Sequence, residues 1–118
     1  QYRILKMLIQ PLVENALKHG IAPSDRPGFV KVQIFLDGEM LRVEVVDNGV
    51  GMQQEIIEKI LNESGDSHIG LQNVIGRIKI YYGAPYGVEL HSGGFGTRVA
   101  LLLPKIEMKK GTEAAEHV

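Results

Sequence analysis

The chain has 118 residues, of which 44% are hydrophobic, and this size predicts a single domain with a modest core. Its 13 Lys and Arg residues nearly balance its 14 Asp and Glu residues, giving a formal net charge of −1. This balance gives no electrostatic reason to expect nucleic acid or an anionic membrane as the main partner. Cysteine is absent, which excludes disulfides and thiolate chemistry. No apolar run approaches the roughly 18 residues of a membrane-spanning helix.

The first predicted element is an amphipathic helix over residues 4–19, where apolar side chains recur at intervals of three and four. Pro11 lies within it and predicts either a kink or a helix that begins in earnest near that residue. Gly20 is the expected end. Lys18 and His19 precede it in the last turn, where the helix dipole favours positive charge.

Strands follow a loop at 21–28. Alternating apolar residues predict a strand over 30–36 with one buried face, and a returning strand over 41–45. The two are expected to be joined by a hairpin turn at Asp37 and Gly38.

The second half of the chain predicts two helices and then two more strands. The helices are expected at 53–62 and roughly 70–82, separated by a polar loop at 62–68. The last strands lie around 88–91 and 99–103. We therefore expect an α+β fold, a two-layer α/β sandwich whose mixed sheet is mainly antiparallel and carries its helices on one face. The domain is expected to span residues 1–105, followed by a polar tail at 106–118.

Four short segments could carry chemistry. In PLVENALKHG at 11–20, Asn15 and His19 share the apolar side of the helix, so the amide either braces a loop or binds a ligand. DNGVGM at 47–52 is either a hairpin turn or a pocket where Asp47 is held and glycines admit a flat ring. GDSHIGLQNVIGRI at 65–78 is either an ordinary helix start or a phosphate site at a helix N-terminus. GGFGT at 93–97 alone indicates only a hairpin turn.

In this order, the four segments resemble the N box, the two glycine boxes and the terminal glycine-threonine element of the GHKL ATPase superfamily. That superfamily includes sensor histidine kinases, DNA gyrase, mismatch-repair ATPases and heat-shock chaperones. The residues of these motifs are most similar to those of LytS-type sensor histidine kinases, because of PLVENALKHG at 11–20 and YGAPYGVELHS at 82–92. The resemblance covers about residues 4–104 and implies the Bergerat fold of an ATP-binding domain.

The resemblance also implies roles for individual residues. Asn15 would coordinate Mg²⁺, and Lys18 and His19 would contact the ATP phosphates. Asp47 would accept a hydrogen bond from the adenine amino group, with Thr97 behind it, and residues 52–69 would form a lid over ATP. The implied nucleotide-binding set is Asn15, Lys18, His19, Asp47, Gly49, Gly51, Met52, Gly70, Leu71, Gly96 and Thr97.

The chain departs from the family pattern at three places, which are Pro11, His68 and the first strand. Pro11 stands where gyrase-like relatives have a general-base glutamate, so intrinsic ATP hydrolysis is expected to be weak or absent. Glu14 is the candidate catalytic residue, which either polarises water beside the metal site or simply pairs with Lys18 on the helix surface. His68 replaces a frequent glycine and is expected to be a bystander or a surface residue. The family's usual first strand is not found, so one sheet edge is expected to be missing.

The four histidines, His19, His68, His91 and His117, all lie outside any long helical-hairpin pattern. The resemblance therefore implies a phosphoacceptor histidine on a separate, upstream dimerisation domain. It also implies a response regulator as pathway partner, a homodimeric full-length protein, and a cytoplasmic position for this domain in an integral membrane sensor. The alternatives are an anti-sigma-type serine kinase, a non-hydrolysing nucleotide-sensing module, and an unrelated small α+β protein.

Overall fold

The computed structural model describes residues 2–62, residue 65 and residues 68–105; the predicted tail lies outside them. Within these residues the elements follow in this order: α1 (Tyr2–Asn15), a π-helix (Ala16–Ile21), β1 (Val30–Asp37), β2 (Met40–Asp47), α2 (Gln54–Leu61), α3 (Ile69–Tyr81), β3 (Gly87–Gly93) and β4 (Gly96–Pro104). None of the helices described is both long enough and apolar enough to span a bilayer.

The strands form one sheet in the order β1-β2-β4-β3. Each described pairing is antiparallel, which confirms the α+β class with a mainly antiparallel sheet. The β1–β2 hairpin closes at Gly38, whose φ of 63° suits the tight turn. Val45 pairs with Val32 on one side and Val99 on the other, so the apolar positions of three strands share one face.

The core lies between this inner face and the helices. α1 packs over β2, and α3 packs over both α1 and β3. Each of the large apolar side chains at the centre stabilises the fold by roughly 1.5–3 kcal/mol through its removal from water. The central side chains without exposed surface are Leu8, Leu12, Leu41, Val43, Leu71, Val74, Ile78, Leu101 and Leu103. The prediction of helices on one face is confirmed.

The expectation of a buried face on β1 is wrong. Val32, Ile34 and Leu36 point to the same side as the core residues of β2, yet each is 43–45% exposed. β1 is an edge strand, and the helices cover the sheet over β2 and β3. Alternation therefore identified the strand correctly, but it could not tell which strands the helices cover.

The first helix agrees with its prediction only in part. α1 runs through Pro11, so the alternative of a helix that begins near this residue is wrong. Pro11 has no N–H to bond the Met7 carbonyl four residues earlier, and Nη1 of Arg77 in α3 lies 3.5 Å from that carbonyl oxygen. The helix also does not end at Gly20. It widens into the π-helix, closed by a bond from the Ala22 N–H to the Leu17 carbonyl at 2.9 Å. Such widened turns often occur at functional sites.

Candidate nucleotide site

One cleft lies between the π-helix and the adjoining ends of β2 and β4. Its empty volume is about 190 Å³, and it is open to solvent. Asn15 and Asp47, which come from different motifs, both line it. The full lining is Asn15, His19, Gly20, Asp47, Gly51, Met52 and Thr97. The cleft therefore brings together residues from the first, second and fourth motifs.

Asp47 ends β2 and is the buried anionic group of the cleft, with only 3% of its surface exposed. Its Oδ1 accepts a hydrogen bond from the Gly49 N–H at 2.8 Å, and the carboxylate also accepts one from the Thr97 N–H. Burial raises the pKa of Asp47, and the two N–H donors partly oppose that shift. The result is a carboxylate held in a fixed position, able to accept hydrogen bonds from a ligand.

A polar row crosses the sheet at this level. Asp47, Thr97 and Ser92 are opposite one another on β2, β4 and β3, so their side chains share the inner face. The sequence interpretation included Ser92 only as the last residue of YGAPYGVELHS and gave it no role. Its place in that motif, and the inward alternation that it continues from Val88 and Leu90, are the signals that could have identified it.

Two glycines of the motifs are required by contacts between backbone segments. A Cβ at Gly49 would overlap the carbonyl of Gly20, which accepts a bond from the Val50 N–H at 3.1 Å. A Cβ at Gly96, where φ is 120°, would overlap the carbonyl of Asp47. These glycines thus let the π-helix, β2 and β4 approach closely. For Gly49, this reason differs from the expected one, which was room for a flat ring.

Asn15 is half-buried where α1 passes into the π-helix, and its amide makes no capping hydrogen bond. A neutral oxygen in a cleft suits Mg²⁺, which takes one or two protein ligands and completes its shell with water and phosphate oxygens. Among the described residues no group of three His, Asp or Glu side chains offers a fuller set of ligands. The side chains present fit a phosphate-bound Mg²⁺ better than a cation enclosed by protein.

The expectation that His68 lies at the surface is wrong. It is only 9% exposed, and its ring stacks on that of His19 with centroids 4.0 Å apart. Burial lowers the pKa of His68, and the nearby His19 and Lys18 lower it further. Burial, followed by Lys18, also lowers the pKa of His19. Two neutral rings therefore join the start of α3 to the π-helix.

This stacked pair predicts a pH-dependent stability. Because the folded-state pKa values are depressed, the contribution is complete above the ordinary value of 6.5 and is lost as the pH falls through the folded-state values. We expect the unfolding temperature of the wild type to fall more between pH 7.5 and 5.5 than that of His68→Phe, which keeps a ring but cannot be protonated. His91→Gln, at an exposed histidine, is the matched control and should follow the wild type. Equal slopes for all three proteins would contradict the prediction.

Several predicted site residues do not line the cleft. Leu71 belongs to the hydrophobic core, and Gly70 lies exposed in the first turn of α3. Lys18 is exposed beside the cleft. Glu14 is also exposed and accepts a hydrogen bond from Gln10 at 3.3 Å. The alternative interpretation of Glu14, an ion pair with Lys18, is not seen between these two described residues.

Asn48 is a second residue that the sequence interpretation left without a role. Its Oδ1 accepts a hydrogen bond from the Phe29 N–H at 2.7 Å, and its carbonyl accepts one from Arg26 at 3.2 Å. These bonds attach the loop before β1 to the residue next to Asp47. In the sequence, an Asn before Gly indicated only a turn.

Comparison with known families assigns the class. Residues 1–107 match the family described as histidine kinase-, DNA gyrase B- and HSP90-like ATPases. The chain belongs to this ATPase family.

Named relatives are sensor histidine kinases. The chain is 39% identical over 102 residues to sensor histidine kinase YpdA of Escherichia coli and 36% identical over 102 residues to sensor histidine kinase YesM of Bacillus subtilis. These alignments cover 86% of this chain but only 18% and 17% of the relatives, so the chain spans about a fifth of their length. Among solved structures, the histidine kinase domain of the Erythrobacter litoralis EL346 blue-light activated histidine kinase is similar, with a TM-score of 0.64 and 25% identity. This match covers 91% of this chain and 48% of that one.

Proposed function

We propose that this chain is the ATP–Mg²⁺-binding domain of a sensor histidine kinase and presents the γ-phosphate to a histidine on a separate dimerisation domain. The observation that carries the proposal is the single cleft shared by the buried Asp47 and the amide of Asn15. An anionic acceptor and a neutral metal ligand in one cleft suit the two ends of Mg–ATP.

The adenine end is assigned to Asp47. Its carboxylate accepts hydrogen bonds, and adenine offers an exocyclic amine where guanine has a carbonyl. A carbonyl facing the carboxylate would leave two buried acceptors without a donor, at a cost of about 1–3 kcal/mol. The site should therefore prefer ATP to GTP.

The phosphate end is assigned to the π-helix and the start of α3. Asn15 would hold Mg²⁺, which neutralises phosphate charge when bound. Lys18 supplies a positive charge, whereas His19, whose pKa is lowered, acts as a neutral hydrogen-bond donor. Among the described residues, the first α3 N–H bonded to the chain's own backbone is that of Gln72, and Gly70 precedes it at the helix N-terminus, where N–H groups suit phosphate oxygens.

Binding requires the cleft to widen. Pockets for drug-sized ligands usually enclose about 300–1,000 Å³, whereas the enclosed part of this cleft has room for about one water molecule. The predicted lid, residues 52–69, includes Met52 in the lining and ends beside His68. We propose that this segment moves outward to admit the nucleotide.

Catalysis by this domain would consist of positioning and charge neutralisation, as is general for phosphoryl transfer. Pro11 carries no group that could activate water, so ATP hydrolysis by the chain alone should be weak. Glu14 is the remaining candidate to orient water or support the metal site. In this proposal the phosphoacceptor domain, a response regulator, homodimerisation and a membrane sensor region belong to the full-length protein, in which this domain is cytoplasmic.

Phosphorylation of the full-length protein by radiolabelled ATP tests the proposal. We expect label on protein that is lost in acid and stable in base, because phosphohistidine is acid-labile, together with little phosphate release by the isolated chain. Acid-stable label would indicate the alternative, a serine kinase of the anti-sigma type. ATP binding with no transfer at all would indicate a nucleotide-sensing module.

A further inference from the structure

We infer that Ser92 is a positioning residue for base recognition, because its hydroxyl fixes the direction of the Thr97 hydroxyl so that the base end of the cleft presents only acceptors. The inference rests on the proposed ATP site and goes beyond it. It adds a residue on β3, outside the cleft lining, that would set the preference for a 6-amino purine over a 6-keto purine.

Three short contacts surround the Ser92 hydroxyl. The Met52 N–H lies 2.6 Å from Oγ, the Gly96 carbonyl oxygen 2.9 Å and the Thr97 Oγ1 3.0 Å. Met52 and Thr97 also line the cleft, whereas Ser92 lies behind them. Ser92 therefore contacts the second motif and β4 at once.

The directions of these bonds follow from the atoms. An amide N–H can only donate, so Ser92 accepts from Met52, and a carbonyl can only accept, so Ser92 donates its single proton to Gly96. The third contact then needs its proton from Thr97. With its proton bonded to Ser92, the Thr97 hydroxyl has only lone pairs left for the cleft.

This arrangement sets the chemistry of the base end. Asp47 and Thr97 are paired on neighbouring strands, and both are acceptors. An exocyclic amine carries two N–H groups and can satisfy both acceptors, directly or through a water. The keto oxygen of a 6-keto purine would face two acceptors. Without Ser92, the Thr97 hydroxyl could rotate and donate to that oxygen.

The test measures the ratio of the dissociation constants for ITP and ATP, two nucleotides that differ at the base 6-substituent. We expect Ser92→Ala to lower this ratio by at least about fivefold, and Ser92→Thr, which keeps the hydroxyl, to restore it. Thr97→Val removes the second acceptor without changing the side-chain shape and should lower the ratio as well. In a Thr97→Val background, Ser92→Ala should have no further effect on it.

A ratio of Kd values separates positioning from simple support. If Ser92 only braces Met52, Ser92→Ala will weaken ATP and ITP equally, the ratio will not change, and the inference is overturned. If Ser92→Ala does not fold, Thr97→Val decides, since an unchanged ratio there also overturns it. Failure of the wild type to bind ATP would be the separate failure of the proposed function.

Discussion

Asp47→Asn is expected to lower the affinity for Mg–ATP by more than tenfold while the domain stays folded. The amide replaces one carboxylate oxygen with an N–H₂ group, which repels the adenine amine instead of accepting from it. The remaining oxygen can still accept from Gly49, so the local turn can persist. Isothermal titration of the purified domain measures the affinity, and thermal unfolding checks the fold.

The thermal stability of Asp47→Asn provides an internal control. Burial raises the pKa of Asp47, so its stabilising contribution is complete below the ordinary value of 3.8 and is lost as the pH rises through the folded-state pKa. At pH 7 the neutral variant is relieved of this burial cost, which offsets the loss of the hydrogen bond from the Thr97 N–H, so its unfolding temperature should stay close to that of the wild type. Asp37→Asn, the same change at an exposed turn, should alter neither property. Unchanged ATP affinity in Asp47→Asn would defeat the adenine assignment.

Gly49→Ala is expected to destabilise the domain by at least about 3 kcal/mol, the upper end of the usual cost of overpacking. The added methyl group would overlap the backbone carbonyl of Gly20, which cannot rotate away as a side chain could. The π-helix and β2 must then separate, and the cleft between them is lost. Against a typical total stability of about 5–15 kcal/mol, this loss is readily measured by urea unfolding.

Gly70→Ala is the matched control for that variant. A Cβ there would lie 3.8 Å from Pro11, which is ordinary contact, and helical positions favour alanine over glycine by up to about 1 kcal/mol. Its stability should equal or exceed that of the wild type. If the two alanine variants had the same stability, the close approach of Gly49 and Gly20 would not constrain the fold.

Most of the fold could be predicted from the sequence, because the spacing of apolar residues and the positions of turn-forming residues indicated the same elements. The 3.6-residue period of α1 and α3, and the alternation of β2 and β4, identified those elements to within a few residues. The exposed face of β1 and the extension of the first helix into a π-helix could not be predicted. Both depend on how elements pack together, which a local pattern does not record.

The candidate site, too, could be predicted only in part. The order of the motifs was sufficient to select Asp47 and Thr97, which the sheet register places opposite each other. Ser92 was missed because its contacts depend on how β3 and β4 pair and on Met52, 40 residues earlier, although Thr97 is only 5 residues further on. His68 was missed because its partner His19 is distant in sequence, in the π-helix. Leu71 was assigned to the nucleotide site because it follows Gly70 in the motif, whereas its position on α3 places its side chain in the core.

The central claim is that one cleft holds adenine at Asp47 and the metal at Asn15. A crystal structure of the domain with Mg²⁺ and a non-hydrolysable ATP analogue tests it most directly. We predict the adenine amine within hydrogen-bonding distance of the Asp47 carboxylate, and Mg²⁺ about 2.0–2.1 Å from the amide oxygen of Asn15. A nucleotide bound elsewhere, or with its base away from Asp47, would contradict the account.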